Sequence, residues 1–445
     1  MPRHTDKLAN MAASARKARA RNIKLAKLFS LIIVVAAAFV GGFAVRGDVE
    51  LLDALGLTQL TGTQDAKAKA AQTQQTYNSL SARVGEVETI VNKDSLDSYD
   101  LDTATTKMLD AFAVSTQDPY LRYFDASRFA ASSSTSDVSY NGGGIGVLFS
   151  EYNGSAYVVD VFEGSPAQMA DVQTNDVVVS IDGDRSHAWS ASEVTQAIKR
   201  DQGSQVVITW RRGSSLDDTK GTEFTTTLTV TDQTVKNVAT ELTNNVGYIQ
   251  LKQITQNSAQ LVRQAIVDLD ARGAQSYVLD LRDNPGGYLT QAVDISSYFI
   301  KSGTIVRITT KSSDETTKNA TGDVLTDKPL VVLVNGNTSS SAEVIAASLK
   351  DNERATIVGT NTLGKGSVQV THELTFGGAL RYTAAYYKSP LDHDIDGLGI
   401  NPDISIGRSD DEDNQKRPRN PWCVSRWVAH AGTRVAVRVL ILTAF

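Results

Sequence analysis

An uncharged apolar run, "LFSLIIVVAAAFVGGFAV", occupies residues 28–45. Its eighteen positions meet the lower bound for a membrane-spanning helix. Polar, Ala- and Gln-rich sequence follows over 64–92, with Leu80, Val84, Val87 and Val91 at helical spacing. The stretch 46–94 therefore reads as a helical stalk. Residues 95–137 hold a second helix, "LDTATTKMLDAFAVST", and end in the serine-rich loop "ASSSTSD". From 138 to 232 the pattern becomes short β runs divided by turns: "YNGGGIGVLFS", "SAYVVDVFEGSPAQMA", "NDVVVSIDGD", a helix "SASEVTQAIKR" opened by an N-cap serine, then "SQVVITWRRG" and "EFTTTLTV". From 246 to about 406 apolar strands ("VGYIQL", "SYVLDL", "KPLVVLVN", "RATIVG") alternate with helices at 257–272, after "NPGGY", and from 342. That alternation predicts an α/β domain over 233–408 with a mostly parallel sheet.

Charge gives the N-terminal run an orientation. Arg16, Lys17, Arg19, Arg21, Lys24 and Lys27 precede it, which keeps residues 1–27 in the cytoplasm and places the body outside. The run is long for a cleaved signal peptide and no clear A-x-A site follows, so a single-pass cell-membrane anchor is expected. Residues 1–46 carry nine Lys/Arg and one Asp, and 416–445 carry six Lys/Arg and no acid. The middle of the chain holds 29 basic against 49 acidic residues, and an acidic body argues against nucleic acid as partner. Cys423 is the single cysteine, so no intrachain disulfide or cysteine metal cluster can form. The basic stretch 409–445 fits none of the preceding patterns and reads as a disordered tail; its arginines argue against a second span.

The element order over 138–232 resembles a PDZ domain of the circularly permuted bacterial kind. That resemblance implies a carboxylate-binding loop at Gly144, Ile145, Gly146 and Val147, with a peptide C-terminus adding to the neighbouring strand edge.

Catalytic chemistry concentrates where strands of the α/β domain end, since active sites in such sheets gather at the C-terminal strand ends. "LVNGNTSSS" runs from a strand into a helix and puts Ser339, Ser340 and Ser341 at the junction. A serine hydroxyl needs a positioned base to become a nucleophile. Of five histidines only His372 and His393 are candidates, and neither stands at a recognisable strand-end motif. Lys365, between Gly364 and Gly366 in "NTLGKGSVQ", is the other candidate, because burial can lower a lysine's pKa far enough for it to act as base. The neighbouring "GKGS" lacks the spacing of a phosphate-binding loop. Taken alone, the stretch leaves a solvated and a catalytic lysine equally open.

Residues from about 95 to 405 resemble the carboxyl-terminal processing, or tail-specific, serine proteases. The similarity rests on four motifs in order: "LDLRDNPGG", "SSAEVIAASLKDNERATIVG", "NTLGKGSVQ" and "GLGINPDI". Aligned on Glu343, it implies Ser340 as nucleophile, Lys365 as base 25 positions later, and Gln369 as the group orienting the lysine. It implies an oxyanion hole from the amides of Gly286 and Ser341, and no metal or cofactor. Protein or peptide substrates with accessible C-termini are the implied partners, and homo-oligomerisation stays open. The family's Gly-Ser-Ala-Ser-Ala-Ser-Glu is replaced here by a triplet of serines before Ala342 and Glu343, which leaves Ser339 and Ser341 as rivals to Ser340. The competing functional class is a membrane-tethered PDZ scaffold without catalysis. Arg282 and Asp280 are expected to pair at a strand end, and Asp283 to be solvated.

Overall fold

The computed structural model describes residues 79–133, 143–232, 236–311, 315–406, 424–428 and 437–441. The anchor expected at 28–45 and the first part of the stalk lie outside them. Among the described residues no helix is long and apolar enough to cross a membrane. The chain divides into two compact units, before and after Asp100. In the first, α1 (Leu80–Asp94) is capped by Ser79, whose Oγ accepts the Ala82 amide, and it buries no residue.

The second unit begins with α2 (Leu101–Val114), β1 (Arg122–Phe124) and α3 (Ala126–Ser133). Strand β1 lies between the helix and the serine-rich loop expected in 95–137, and it pairs antiparallel with residues 379–381, far along the chain. Its Tyr123 and Phe124 are buried, a contact that local periodicity cannot announce.

The PDZ-like region comprises β2 (Gly143–Gly144), β3 (Val147–Tyr152), β4 (Ser155–Val161), α4 (Pro166–Met169), β5 (Val177–Ile181), α5 (Ala191–Ala197), β6 (Gln205–Arg212), β7 (Thr222–Thr229) and β8 (Thr231–Asp232). Strands β3 to β7 form one antiparallel sheet in sequence order, so β3 is an edge. Their inward residues enclose a core that includes Ile145, Phe149, Val158, Val194, Ile208 and Trp210. A capping box starts α5: Ser190 accepts the Glu193 amide, and Glu193 returns a bond to the Ser190 amide.

The α/β region carries β9 (Val238–Thr243), β10 (Val246–Leu251), α6 (Ser258–Ala271), β11 (Ser276–Asp280), α7 (Leu289–Ser297), β12 (Thr304–Thr310), β13 (Thr316–Asn319), β14 (Leu330–Val334), α8 (Ser341–Asp351), β15 (Thr356–Gly359), β16 (Ser367–Glu373), β17 (Ala379–Lys388) and β18 (Ile404–Ser405). Its core sheet runs β18-β15-β14-β11-β10-β9 and is mixed: β10, β11, β14, β15 and β18 are parallel, and β9 returns antiparallel. The β9–β10 turn is Asn244-Asn245, both at positive φ, the two-residue geometry that suits a hairpin. Near-continuous apolar strands such as "LVVLV" fit a sheet covered on both faces.

A second, antiparallel sheet of β1, β17, β12, β13 and β16 departs from the expectation of one mostly parallel sheet. Its strands at 304–319 and 367–388 alternate polar and apolar residues weakly, and pairing rather than pattern specifies them. Within 409–445, expected to lack structure, β19 (Val424–Val428) and β20 (Val437–Ile441) pair antiparallel.

Candidate active site

Strands β11 and β14 lie side by side and deliver both strand-end motifs to one edge of the core sheet. Below them, Asp280 is fully buried and clamped by the Arg282 guanidinium at 2.6 Å and the Tyr248 hydroxyl at 2.6 Å. Asp283 is not left to solvent: its Oδ1 accepts from the side-chain amides of Asn335 and Asn337, at 2.9 and 3.0 Å. These bonds lock the β11 and β14 termini together. The Ser339 amide donates to the Asn284 carbonyl at 3.0 Å, continuing the seam to the serine triplet.

The three serines differ sharply in surroundings. Ser339 and Ser341 are fully buried and their hydroxyls lack partners among the described residues, whereas Ser340 is partly exposed. Ser340 also has φ 55° and ψ −126°, a strained conformation for a residue with a Cβ. It forms the elbow between β14 and α8, as the N-cap of that helix in a capping box with Glu343. Gly286 packs under this elbow at φ 83°; a Cβ there would come within 2.9 Å of the Ser341 amide nitrogen and of Ser340 Cβ. The Gly286 amide itself donates to Asn284 Oδ1 at 2.9 Å.

Lys365 sits on the loop before β16. The loop is fixed by bonds from the Gly397 amide to the Gly364 carbonyl (2.8 Å) and from the Tyr387 amide to the Gly366 carbonyl (2.7 Å). The Lys365 Nζ lies over the Tyr120 ring, 4.9 Å from its centroid, and donates to the backbone carbonyl of Glu151 at 3.2 Å. Burial pushes its pKa below the ordinary lysine value, against the opposing pull of the Glu151 carboxylate. The Gln369 side-chain amide donates to Ser367 Oγ at 3.0 Å. No hydrogen bond joins Lys365 Nζ to Ser340 Oγ or to Gln369 among the described residues. His372 and His393 are both exposed.

Glu151 ties the PDZ-like sheet to the rest. Burial works against its charge, but Arg381, Lys365 and Arg122 outweigh that and hold its pKa below the ordinary glutamate value. Arg381 grips it with both terminal nitrogens, at 3.1 and 2.5 Å. A second bridge joins Lys252 to Asp160 at 2.6 Å. Leu363, two residues before the lysine, packs against the sheet face formed by Leu148, Tyr157, Val159 and Val177. In the loop expected from the sequence to bind a carboxylate, Ile145 and Gly146 give their carbonyls to the Ala167 and Phe162 amides at 3.0 and 2.9 Å. A Cβ on Gly146 would overlap Ser165 Cβ at 2.0 Å, so the loop requires glycine.

Glu343, which served in the sequence only as an alignment anchor, is central here. It is fully buried and accepts from the Ser340, Gly364 and Lys365 amides and from Thr362 Oγ1. The S-x-x-E spacing of Ser340 and Glu343 is a capping signature that could have drawn attention to it. Tyr120, Glu151 and Arg381 carry no such signal.

This arrangement, a partly exposed serine on a strained strand-to-helix elbow beside a PDZ domain, defines a serine peptidase with a peptide-binding module. Peptidase family S41 matches residues 245–406 and the PDZ domain matches 143–227. A carboxyl-terminal-processing protease of Synechocystis sp. is 34% identical over 294 residues, covering 64% of this chain and 67% of the relative. A carboxy-terminal-processing protease of Bartonella bacilliformis is 32% identical over 295 residues, covering 65% and 66%. Among solved structures, a photosystem II D1 C-terminal processing protease superposes with a TM-score of 0.60 at 25% identity, covering 74% of this chain and 87% of that one. The chain belongs to the carboxyl-terminal-processing proteases of Peptidase family S41, and it is a serine-type endopeptidase with a PDZ domain.

Proposed function

We propose that the protein is a membrane-anchored endopeptidase that binds the C-terminal tails of its protein substrates through the PDZ domain and cleaves them with a Ser340–Lys365 dyad. The observation that carries this reading is the contrast within the triplet: Ser340 alone is reachable, on an elbow whose amide is tied to the same carboxylate as the Lys365 amide.

In this mechanism Ser340 Oγ attacks a peptide carbonyl and neutral Lys365 takes its proton, then returns it to the leaving amine. Water hydrolyses the acyl-enzyme and restores the serine. Gln369 orients the lysine. The amides of Ser341 and Gly286 stabilise the oxyanion, an effect of about 3–4 kcal/mol per donor; the Gly286 amide must first leave Asn284 Oδ1. No step calls for a metal or cofactor.

The substrate carboxylate lies against the Gly144, Ile145, Gly146 and Val147 loop and its backbone adds to β3. The Ala156 amide donates to the Trp189 carbonyl on the far side of β4. Opposite it, Glu151 therefore turns its carbonyl to the free edge of β3. That carbonyl now holds Lys365. A substrate strand pairing along β3 competes for it and frees the lysine to swing toward Ser340. Residues 28–45 supply the anchor, and the positive flank directs the catalytic body to the outer face of the membrane.

The test is labelling with a fluorophosphonate and location of the adduct by mass spectrometry. An adduct on Ser340, absent in Ser340→Ala, supports the reading; modification of Ser339 or Ser341 overturns the assignment. Membrane fractionation with and without residues 1–46 tests the anchor.

A further inference from the structure

We propose that Glu343 is the positioning residue of this peptidase: its single carboxylate holds the Ser340 elbow and the Lys365 loop in fixed register. The proposal rests on the Ser340–Lys365 reading and adds a residue that touches neither substrate nor reacting atoms.

The geometry is specific. Oε2 accepts the Ser340 and Lys365 amides, both at 2.8 Å, so one oxygen bridges the backbones of nucleophile and base. Oε1 accepts Thr362 Oγ1 at 2.5 Å and the Gly364 amide at 2.8 Å. Thr362 Oγ1 in turn accepts the Ile400 amide at 2.6 Å. Two segments separated in sequence, the serine elbow and the lysine loop, thus meet at one carboxylate, and the "GLGINPD" segment is joined to them through Thr362.

An ordinary helix cap would need only the bond from the Ser340 amide. The three further donors come from outside α8, and two of them flank or belong to the lysine. A carboxylate offers about four acceptor sites, and four donors fill them. Among the described residues no cationic side chain forms a salt bridge with Glu343; the four donor dipoles and the N-terminal end of α8 are what face its charge. Burial lifts its pKa to about 7, against the pull of these bonds.

The strained Ser340 backbone explains why such a clamp is required. A residue at that φ/ψ costs about 1–3 kcal/mol and persists only where its surroundings over-determine it. Glu343 takes the amide of that residue. Without the carboxylate the elbow can relax, moving Ser340 Oγ relative to Lys365 even though both residues remain.

Replacement by glutamine preserves shape and reverses polarity at one oxygen, setting an NH2 against two donors. With the full chain and a cleavable peptide, Glu343→Gln should lower kcat about 100-fold, the scale of a 1 Å misplacement, with KM nearly unchanged. Affinity of the PDZ domain for a C-terminal peptide should also be unchanged, which reports an intact fold. Thr362→Val removes one donor and should lower kcat in the same direction to a smaller extent; it decides the matter if the glutamine variant does not fold. Wild-type kcat in the folded variants overturns the proposal. So does a loss of activity that only tracks a loss of peptide binding and folded protein. Ser340→Ala and Lys365→Ala run alongside: activity surviving in either removes the dyad itself, a failure distinct from that of Glu343.

Discussion

The ammonium of Lys365 and the main-chain carbonyl of Glu151 are bonded at 3.2 Å, although 214 residues separate them in the chain. The proposed base is thus held by the free edge strand of the PDZ sheet. A C-terminal peptide that pairs with β3 but resists cleavage should accelerate fluorophosphonate labelling of Ser340 in a saturable way. A labelling rate indifferent to the peptide would break the link between strand addition and lysine release.

Ser340→Ala and Lys365→Ala should each abolish peptide cleavage. Ser340→Ala should leave stability unchanged, and Lys365→Ala should lower it without unfolding the protein, because the bond to the Glu151 carbonyl and the cation over the Tyr120 ring are lost. Peptide hydrolysis and thermal unfolding measured on the same preparations check both halves of this expectation.

The pH dependence of catalysis has a defined sign. Burial lowers the Lys365 pKa, and a lysine acts as base only when neutral. The kcat/KM should rise with pH through that depressed value, and a flat profile from neutral to alkaline pH would count against lysine as base.

Glu343 titrates in the opposite sense for stability. Its folded-state pKa of about 7 exceeds the model-peptide value of 4.5, so the folded protein holds the proton more tightly. That contribution is complete below about pH 4.5 and is lost as pH rises through about 7. The unfolding free energy of wild type relative to Glu343→Gln should fall across that window by about 3 kcal/mol, at about 1.4 kcal/mol per pH unit. Urea titrations at several pH values measure it.

Arg381→Ala should destabilise the protein by about 3–5 kcal/mol, since it leaves the buried Glu151 carboxylate without its bidentate partner. The loss should shrink at acid pH, where Glu151 protonates. Chemical denaturation at neutral and acid pH tests both statements.

Much of this protein was legible in its sequence, for a physical reason. The PDZ strands, the βα alternation and the elbow between "LVVLV" and "SAEVIAASLKD" are set by local periodicity, turn residues and capping, which act over a few positions. Ser340 and Lys365 could be named through a family resemblance in motif order and spacing, with Ser339 and Ser341 left as rivals, and Glu343 entered only as the residue that set the alignment. Tertiary structure decided the rest. The place of strand β1 and the joining of β12 to β17 in the second sheet depend on pairings across long sequence separations. The clamp of four donors on Glu343, the capture of Lys365 by Glu151 and the different burial of three adjacent serines are likewise invisible in one dimension. Each depends on desolvation and on hydrogen-bond geometry between groups that only folding brings within 3 Å or so of each other.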